Sequence, residues 1–481
     1  MPTFQTVLRG HLTAADKARQ DYAYIPFALP QPARRLHVRY VYSAPISSDE
    51  TEGGNVIDLG IFDPRGMEFP GGLGFRGWSG SARQEFSLSP TGATPGYLPG
   101  PLPAGQYQVI LGLYRIWPAG ADYEIYIEAE LDETAPTTFP TQPDPPTLAP
   151  SALPPQPPFW LRGDLQSHTN HSDAAGTLYQ LIRKARVAQL DFLAVTDHNT
   201  VSHHPHLAPL ADKDLLLLLG QEVTTYYGHM NVWGTGRWCD FRCKTREDMA
   251  AVINLAHAHG GVCSINHPKT GGPAWEYGAD LPVDAMEVWQ GPWPHRNTES
   301  LALWENLLAQ GRRLPVVGGS DYHCPSGAET DMLRVGQPTT WVKVTERSAA
   351  AILQAIQVGH ASISARPTGP RLDLWATAGG VTAQMGDVLK APVGEPVNVT
   401  VEVTNGAGYT LRVLADGEVV QESAITHDAA TVQMAVNARR YVRAEVVGDM
   451  AREQLPPEAP AALDLRGWRW ALSNPVYVAP E

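Results

Sequence analysis

A proline-rich stretch, residues 135–158, constrains the fold of this chain more than any other single feature. It holds ten prolines in 24 residues. Because proline lacks an amide hydrogen and fixes φ, the stretch can be neither regular helix nor interior strand, and it predicts a stiff linker. The segments on its two sides have different hydrophobic patterns. At 481 residues the chain is too long for one ordinary core, so we expect several domains.

The segment before the linker, residues 1–134, predicts an all-β domain. In YEIYIEAEL (123–131) apolar and polar residues alternate, as they do in LHVRYVY (36–42). This period of two is typical of a half-buried strand, and turns rich in glycine and proline separate the runs. We therefore expect an N-terminal β-sandwich of jelly-roll type.

Residues 159–366 instead predict alternating strands and helices. Strand-like apolar runs lie at 191–195, 215–219, 231–233, 262–265, 285–289, 315–317 and 340–344. Amphipathic helical patterns lie at 177–190, 245–260 and 298–310. Such alternation implies an α/β fold with parallel strands, as a barrel or an open doubly wound sheet. No glycine-rich phosphate-binding fingerprint follows the first strand, so we do not expect a dinucleotide site.

The last segment, residues 367–481, returns to β patterns. VNVTVEV (397–403) alternates strictly, and LRVLADGEVV (411–420) carries Asp416-Gly417 at its centre. Asp-Gly between two apolar runs is a strong hairpin signal. We expect a second, C-terminal β-sandwich.

Composition narrows the class of partner. With 36 basic and 50 acidic residues the net charge is −14, which argues against a nucleic-acid partner. No apolar run approaches the roughly 20 residues of a membrane span, and no signal-peptide core is evident, so we expect no membrane partner and a cytoplasmic location. Four cysteines do not make a disulfide framework. The sequence leaves the oligomeric state open.

Polar blocks follow several of the apolar runs between Gly163 and His323. They are GDLQSHTNHSD (163–173), TDHN (196–199), GQEVTTYYGH (220–229), INHP (265–268) and GGSDYH (318–323). Side chains at the ends of barrel strands converge on one mouth even when they are far apart in sequence. Clustered His, Asp and Glu side chains are ligands for divalent metals such as Zn, Mn or Fe. The blocks therefore predict a metal-dependent hydrolase.

Taken singly, each of these side chains is more often solvated or hydrogen-bonded than bound to a metal. Their recurrence at one position relative to a strand favours a joint role. Asp-x-His at 321–323 also places both side chains on one side of an extended backbone. The nine predicted metal ligands are Gln166, His168, Asp173, His198, Glu222, His229, His267, Asp321 and His323.

These blocks resemble the motifs of the PHP superfamily, named for polymerase and histidinol phosphatase domains. SHTNHSD, AVTDHN, GQEV, GHMN, INHP and GGSDYH match in order and cover roughly two fifths of the chain. EVWQGP (287–292), ALSNPVYV (471–478) and the flanking β-domains resemble the branch with carbaryl hydrolases, the CehA/McbA-like branch. The resemblance implies a distorted seven-stranded (β/α) barrel with two or three divalent metal ions.

The resemblance also distributes the nine ligands among three metals. The sets are Asp173, His198 and His323; Glu222, His229 and His267; and Gln166, His168, Glu222 and Asp321. The family usually has a histidine where this chain has Gln166. An amide oxygen is a poorer ligand than imidazole for Zn or Fe, although it suits Mn. We therefore expect the third metal to be weakly held or absent.

Two or three metal ions suit the hydrolysis of an ester, because they activate water and polarise the substrate oxygen. We expect Glu222, Asp321 and Asp197 to serve catalysis, with Asp197 orienting a ligand from outside the metal sets. The favoured substrate is a small, anionic phosphate mono- or diester. A carboxylic or carbamic ester hydrolase and a non-catalytic protein that binds metal or another ligand are the alternatives.

Three cations are candidates to bind an anionic substrate: Lys269, Arg296 and Arg334. Lys269 follows the INHP block, whereas Arg296 and Arg334 lie on predicted loops. The plainer interpretation makes each a surface or structural cation, and the sequence does not decide between the two.

Overall fold

The computed structural model describes residues 2–48, 50, 52–139, 157–323, 333–452 and 464–480. The centre of the predicted linker, residues 140–156, lies outside the described residues. Among the described residues, no helix combines the length and apolar character that crossing a bilayer requires.

Before the linker, the chain forms two antiparallel four-stranded sheets. The elements are β1 (Thr3–Leu12), α1 (Ala14–Arg19), β2 (Tyr22–Leu29), β3 (Ala33–Tyr42), β4 (Val56–Phe62), β5 (Phe75–Gly80), β6 (Glu85–Leu88), β7 (Gly105–Arg115) and β8 (Ala121–Leu131). The sheet orders are β1-β8-β3-β6 and β2-β7-β4-β5. Side chains from both sheets share one hydrophobic core, as in a sandwich. The two alternating segments of the sequence form β3 and β8, as predicted.

The middle of the chain alternates strands with helices. Its elements are β9 (Phe159–Asp164), α2 (Leu178–Val187), β10 (Phe192–Val195), α3 (His204–Leu207), a 3-10 turn (Ala208–Leu210), β11 (Leu216–Thr225), β12 (Gly228–Trp233), α4 (Arg246–Ala258), β13 (Val262–Asn266), β14 (Ala285–Gln290), α5 (Asn297–Ala309), β15 (Val316–Gly319), β16 (Thr339–Val344), α6 (Ala349–Val358) and β17 (Ala361–Ser364). Each predicted strand and helix of this region is present, with bounds that differ by a few residues.

The middle strands form one mixed sheet in the order β15-β14-β13-β12-β11-β10-β9-β16-β17. The expectation of parallel strands holds for part of it: β9 to β11 and β13 to β15 run parallel, but β12 is antiparallel to both its neighbours and β16 is antiparallel to β9. Only Tyr226 and Tyr227 separate β11 from β12. Because a parallel pair needs a crossover of a dozen or more residues, so short a connection forces a hairpin.

The loops that follow β9 and β15 meet, although these two strands lie far apart in the sheet. An isolated parallel bridge pairs Ser167, after β9, with Tyr322, after β15. The Asp321 amide donates to the Gln166 carbonyl at 3.0 Å, and the His168 amide donates to the Tyr322 carbonyl at 2.9 Å. The first and last polar blocks of the sequence are therefore hydrogen-bonded to each other.

The C-terminal strands extend the same sheet and add a second one. They are β18 (Arg371–Ala378), β19 (Val381–Gln384), β20 (Val388–Ala391), β21 (Val397–Thr404), β22 (Thr410–Ala415), β23 (Glu418–Ala424), β24 (Ala429–Val436), β25 (Tyr441–Gly448), β26 (Trp468–Ser473) and β27 (Val476–Pro480). Asp416 and Gly417 turn the β22–β23 hairpin with φ of 53° and 96°, as predicted. Because β26 pairs with β17, hydrogen bonds run from these strands into the sheet of the middle region.

The N-terminal sandwich packs directly on the α/β region. The Trp238 ring stacks on Phe75 with centroids 3.8 Å apart and planes 8° from parallel. The Tyr226 hydroxyl donates to Asp58 Oδ2 at 2.6 Å. Buried side chains of β5 and β7 belong to the same hydrophobic core as those of β12 and β13. Burial on both sides fixes the sandwich against the end of the sheet where the polar blocks meet.

Candidate metal centre

The structure brings the predicted ligands together at one end of the sheet. Seven of them come from loops that follow strands: Gln166, His168 and Asp173 after β9, His198 after β10, His267 after β13, and Asp321 and His323 after β15. The other two, Glu222 and His229, lie inside β11 and β12 instead of at strand ends. The reason is the β11–β12 hairpin, which continues both strands beyond the loops of their neighbours.

Glu222 lies at the centre of the cluster and is fully buried. Its Oε1 is 3.2 Å from His267 Nε2 and 3.3 Å from His229 Nδ1. Its Oε2 is 3.0 Å from His198 Nδ1 and 3.4 Å from His168 Nε2. One carboxylate thus faces imidazoles from four separate segments, with a different pair on each oxygen.

A second group surrounds Asp173, whose Oδ1 is 3.3 Å from His323 Nε2 and 3.6 Å from His198 Nε2. His168 joins this group, because one ligand atom from each of the four residues lies within 4.8 Å of the others. His168 also belongs to the third predicted set, where its Nε2 is 2.9 Å from Asp321 Oδ1. His168 therefore stands between two of the predicted sets.

The donor atoms fit divalent metal ions. Ligand atoms about 2.1 Å from one ion lie roughly 3–4 Å apart, which is the range found here. Among the described residues, five ligand atoms are buried and make no hydrogen bond of normal geometry, although several lie within 3.4 Å of another ligand atom: Oε1 of Gln166, both ring nitrogens of His168, Oε2 of Glu222 and Nδ1 of His229. Buried polar atoms are normally hydrogen-bonded, so five such atoms in one cluster need a further partner. The mixed imidazole and carboxylate set suits Zn, Mn or Fe.

The charges of the cluster are strongly interdependent. Burial raises the pKa of Asp173, but the neighbouring His198 and His323 outweigh it and hold that pKa well below its usual range. Burial lowers the pKa of His198, yet Asp173 and Glu222 raise it to about 9. Burial also lowers the pKa of His323, and Asp321 followed by Asp173 raises it to about 10. The carboxylates therefore require positive charge among them, which a divalent cation would supply.

Gln166 occupies the position where the resembling family has histidine, and its side chain is fully buried. Its Nε2 donates to Glu222 Oε1 at 3.0 Å and to Asp321 Oδ1 at 3.1 Å. The amide thus joins the two carboxylates of the third predicted set. In this orientation its nitrogen presents hydrogens to them, and its Oε1, which carries the lone pairs that a metal ligand needs, is buried without a hydrogen-bond partner.

Three neighbours of the ligands were missed at the level of sequence. Asn266 Nδ2 donates to Glu222 Oε1 at 2.9 Å, and Gln290 Nε2 donates to Asp321 Oδ2 at 2.7 Å. Glu287 is buried, and its Oε2 accepts the His267 amide at 3.1 Å. Burial, followed by the charges of Asp321 and Glu222, raises the pKa of Glu287 well above its usual range. Asn266 ends β13 and Gln290 ends β14, so position at a strand end was a usable signal for both.

Asp197 is fully buried and holds the loop after β9. Its Oδ1 accepts the Thr169 amide at 2.8 Å and the Ser172 hydroxyl at 2.7 Å. Its Oδ2 accepts the Thr169 hydroxyl at 2.7 Å and lies 3.2 Å from His203 Nδ1. Asp197, which we expected to orient a ligand from outside the metal sets, thus fixes the loop that carries His168 and Asp173.

The three candidate substrate cations differ in burial: Lys269 is buried, and Arg296 and Arg334 are exposed. Lys269 is buried, and its Nζ donates to Asn297 Oδ1 at 2.9 Å and to the carbonyls of Gln290 and His295 at 3.3 and 2.5 Å. An ammonium has three hydrogens, so these acceptors occupy them all. Burial lowers the pKa of Lys269 to about 8. Lys269 thus fastens the loop after β14, a structural role in place of the substrate contact expected.

The two arginines lie at the surface. Arg296 is exposed, donates to the Thr270 hydroxyl and lies 3.9 Å from Glu299. Arg334 is exposed and follows residues 324–332, which lie outside the described part of the chain. Its carbonyl accepts the Gln337 amide at 3.0 Å. The Arg296 guanidinium thus contacts Thr270 and Glu299 at the surface.

Two of the predicted ligands have strained backbones. His267 has φ of 27° and Asp321 has φ of 53°, and neither is glycine. Positive φ is uncommon for residues with a Cβ and is found preferentially where surrounding contacts impose it, often at functional sites. The Glu287 carboxyl on the His267 amide and the Gln166 carbonyl on the Asp321 amide are such contacts.

A separate His-Cys-Asp group lies away from this centre, formed by His257, Cys263 and Asp284. Asp284 Oδ2 already accepts His257 Nε2 and the Cys263 amide, each at 2.8 Å. Burial raises the pKa of the Cys263 thiol well above its usual range, so the thiolate that binds metal is disfavoured. This group is a hydrogen-bonded element of the core.

No family model matches the chain, and no curated protein sequence matches it either. Several solved structures are similar. One is a two-domain protein from Bacteroides vulgatus with a predicted PHP-like metal-dependent phosphoesterase; it is 16% identical, with a TM-score of 0.34, over 66% of this chain and 95% of that one. A proposed metal-dependent phosphoesterase from Bifidobacterium adolescentis is 18% identical, with a TM-score of 0.25, over 36% of this chain and 92% of that one.

An amidohydrolase from Chromobacterium violaceum, with bound sulfate and no metal, is 14% identical, with a TM-score of 0.24, over 36% of this chain and 93% of that one. At these identities and TM-scores, the comparisons establish neither the family nor the activity of this chain.

Proposed function

We propose that the chain is a metal-dependent ester hydrolase of PHP type, with a phosphate ester as its substrate. One observation carries the proposal: imidazoles and carboxylates from five separated segments form overlapping groups whose ligand atoms lie within 4.8 Å of one another. Buried groups of this kind perturb one another strongly, and such perturbation is concentrated at functional sites. A solvated set of surface acids and histidines would not be buried around a single carboxylate as these are around Glu222.

Two metal ions are the proposed occupants. Asp173, His198 and His323 would hold one, and Glu222, His229 and His267 would hold the other. When bound, such ions lower the pKa of water and stabilise negative charge on the substrate. The chain's own residues orient the ligands: Asp197 holds the loop of His168 and Asp173, and Glu287 holds the backbone of His267.

The direction of substrate entry follows from exposure. The Asp173 side chain is 46% exposed and that of His323 is 29% exposed, whereas those of Glu222 and His168 are fully buried. Solvent therefore reaches the centre past Asp173 and His323. We propose that an ester enters on this side, with its reacting group directed toward Glu222 and Asp321.

Phosphate is the favoured ester because two divalent ions carry four positive charges and the three carboxylates of the cluster carry three negative ones. The loaded centre thus favours an anion. The same metals would serve a carbamic or carboxylic ester, as the resemblance to the CehA/McbA-like branch implies. A (β/α) barrel between two β-sandwiches, bounded at 1–134, 159–366 and 367–481, is the architecture that we propose with this function.

The test begins with metal-free protein. Full-length protein is stripped with chelator, dialysed, and supplied with Mn²⁺ or Zn²⁺; p-nitrophenyl phosphate, bis(p-nitrophenyl) phosphate and 1-naphthyl methylcarbamate are then offered separately. We expect metal-dependent turnover of at least one phosphate ester and about two metals per chain by elemental analysis. Turnover of the carbamate alone would refute the phosphate ester as substrate and favour a carbamic or carboxylic ester hydrolase. Metal binding with no turnover of any ester would refute the hydrolase.

Variants separate the two metals. His323→Ala and His229→Ala each remove a ligand of a different set, so each should lower the bound metal by about one per chain, and the double variant should bind close to none. His427→Ala is a matched control. His427 is exposed, lies far from the cluster in sequence, and its ring is hydrogen-bonded to the Thr426 hydroxyl. Full activity in His323→Ala or His229→Ala would place the reaction elsewhere.

A further inference from the structure

The N-terminal sandwich reaches the loop that carries His168 and Asp173. Arg83 lies in the turn between β5 and β6. Its Nη1 donates to the Ser172 carbonyl at 3.2 Å, and its Nη2 donates to the Asn170 carbonyl. A guanidinium presents donors in a rigid planar fork, so one side chain fixes two carbonyls at once. The two carbonyls flank His171 and lie between the two ligands.

A second contact from the sandwich lies beside the first. The Gly96 amide donates to Ser202 Oγ at 3.0 Å, and the Gly96 carbonyl accepts the Thr200 hydroxyl at 2.9 Å. Ser202 Oγ in turn lies 2.8 Å from His171 Nδ1. This contact ties the loop after β10, which carries His198, to the loop after β9.

Gly96 itself shows how close the two parts are. Its φ is 97°, in the region that favours glycine, and a Cβ at this position would lie 2.8 Å from the His171 carbonyl oxygen. No side chain could occupy that position without moving the loop. The sandwich backbone and the ligand loop are therefore in direct van der Waals contact.

The loop is thus held from two opposite directions. Asp197 binds the Thr169 and Ser172 donors from within the α/β region, and Arg83 binds the acceptors of Asn170 and Ser172 from the sandwich. Asp173 is the next residue; its side chain contacts His198 and His323 and is 46% exposed. The position of the Asp173 carboxylate therefore depends on both anchors.

We infer that Arg83 is a positioning residue for the metal set of Asp173, His198 and His323, so that the N-terminal sandwich forms part of the metal centre. This inference rests on the proposed function. Groups that orient a metal ligand from outside typically contribute 10- to 100-fold in metal affinity. We expect Arg83→Ala to weaken one of the two bound metals by about that factor and to leave the other unchanged.

The experiment titrates metal-free, full-length protein with Zn²⁺ against a chromophoric chelator. Arg83→Ala is compared with Arg83→Lys, which keeps the charge but not the fork, and with Arg9→Ala. Arg9 is a matched control, because it lies in the same sandwich, is exposed and contacts Glu124 across the sheet. We expect weakening of one site in Arg83→Ala, a smaller effect in Arg83→Lys and no effect in Arg9→Ala.

Combining Arg83→Ala with His323→Ala shows which metal site Arg83 supports. His323→Ala removes the set that Arg83 is inferred to support, so adding Arg83→Ala to it should change the affinity of the remaining metal by less than about twofold, as expected of an uncoupled pair. Melting temperature in chelator reports any loss of folding separately. Equal weakening of both sites, or unchanged affinity with a lowered melting temperature, would overturn the inference and leave the hydrolase standing. A wild-type protein that binds no metal would overturn both.

Discussion

Replacing Gln166 by histidine tests how many metals the centre holds. The amide donates through its Nε2 to Glu222 Oε1 and Asp321 Oδ1, so its nitrogen faces the carboxylates of the third set. His168, Glu222 and Asp321 already bring one ligand atom each within 4.8 Å of the others. An imidazole at 166 would add a fourth ligand, which is the number that metals such as Zn²⁺ prefer. We expect Gln166→His to raise bound metal from about two to about three per chain.

The energetic signature has two opposite parts. Without metal, the variant loses two hydrogen bonds to carboxylates, and a hydrogen bond to a charged group is worth roughly 1.5–3 kcal/mol. With metal at 100 times its dissociation constant, a third site adds about 2.7 kcal/mol. The gain in stability on adding metal should therefore exceed that of the wild type by about 2.7 kcal/mol. For a unit of 150–250 residues this corresponds to roughly 5–11 °C in melting temperature.

The assay is elemental analysis of metal per chain together with melting curves in chelator and in saturating Zn²⁺. Gln166→Leu is the control, because it removes the same two hydrogen bonds and offers no ligand. It should melt lower than the wild type in chelator without a larger metal-dependent gain. Three metals in the wild type would show that Gln166 is a competent ligand, and two metals in Gln166→His would refute the incomplete third set.

Other positions give independent predictions. Lys269→Met removes the ammonium from three acceptor oxygens, two of them buried, and should lower the free energy of unfolding by about 2–4 kcal/mol in urea denaturation. A raised KM at unchanged stability would instead identify Lys269 as a substrate contact. Asp197→Ala frees both anchored ends of the Thr169–Ser172 loop and should weaken metal about 10- to 100-fold in the chelator competition, and unchanged affinity would contradict this. Burial raises the pKa of Asp58 from 3.8 to about 6, so the folded state binds that proton more tightly than the unfolded state. Wild-type stability should therefore fall relative to Asp58→Asn by about 2.4 kcal/mol as pH rises from 4 to 7, and parallel curves in urea denaturation would contradict it.

Sequence pattern predicted the strands and helices well where a single period dominates. The alternation at 397–403 became β21, and Asp416-Gly417 became the turn of a hairpin. The direction of strands was harder, because a buried strand is apolar on both faces whichever way it runs. The apolar runs predicted at 215–219 and 231–233 lie 11 residues apart, so the sequence did not reveal the two-residue connection that excludes a parallel neighbour.

The candidate ligands were recognisable because their residue types are rare in buried positions and recur after apolar runs. What pattern could not supply is which partner each side chain chooses. Lysine and aspartate are residue types that often contact a substrate or a metal ligand. Lys269 and Asp197 instead form hydrogen bonds with backbone and hydroxyl groups of neighbouring loops. Those partners depend on where loops meet in space.

Part of the centre consists of amide side chains, which are harder to recognise in a sequence than histidines and carboxylates. Asn266 and Gln290 donate to the same two carboxylates as Gln166, so three amides surround Glu222 and Asp321. Amide donors satisfy oxygens that metals leave free, and they do so without adding charge. Asparagine and glutamine are common polar residues, so at strand ends they are a weaker signal than histidine. An amide at one strand end next to an acid at another is the pattern that indicates Asn266, Gln290 and Gln166 as donors to Glu222 and Asp321.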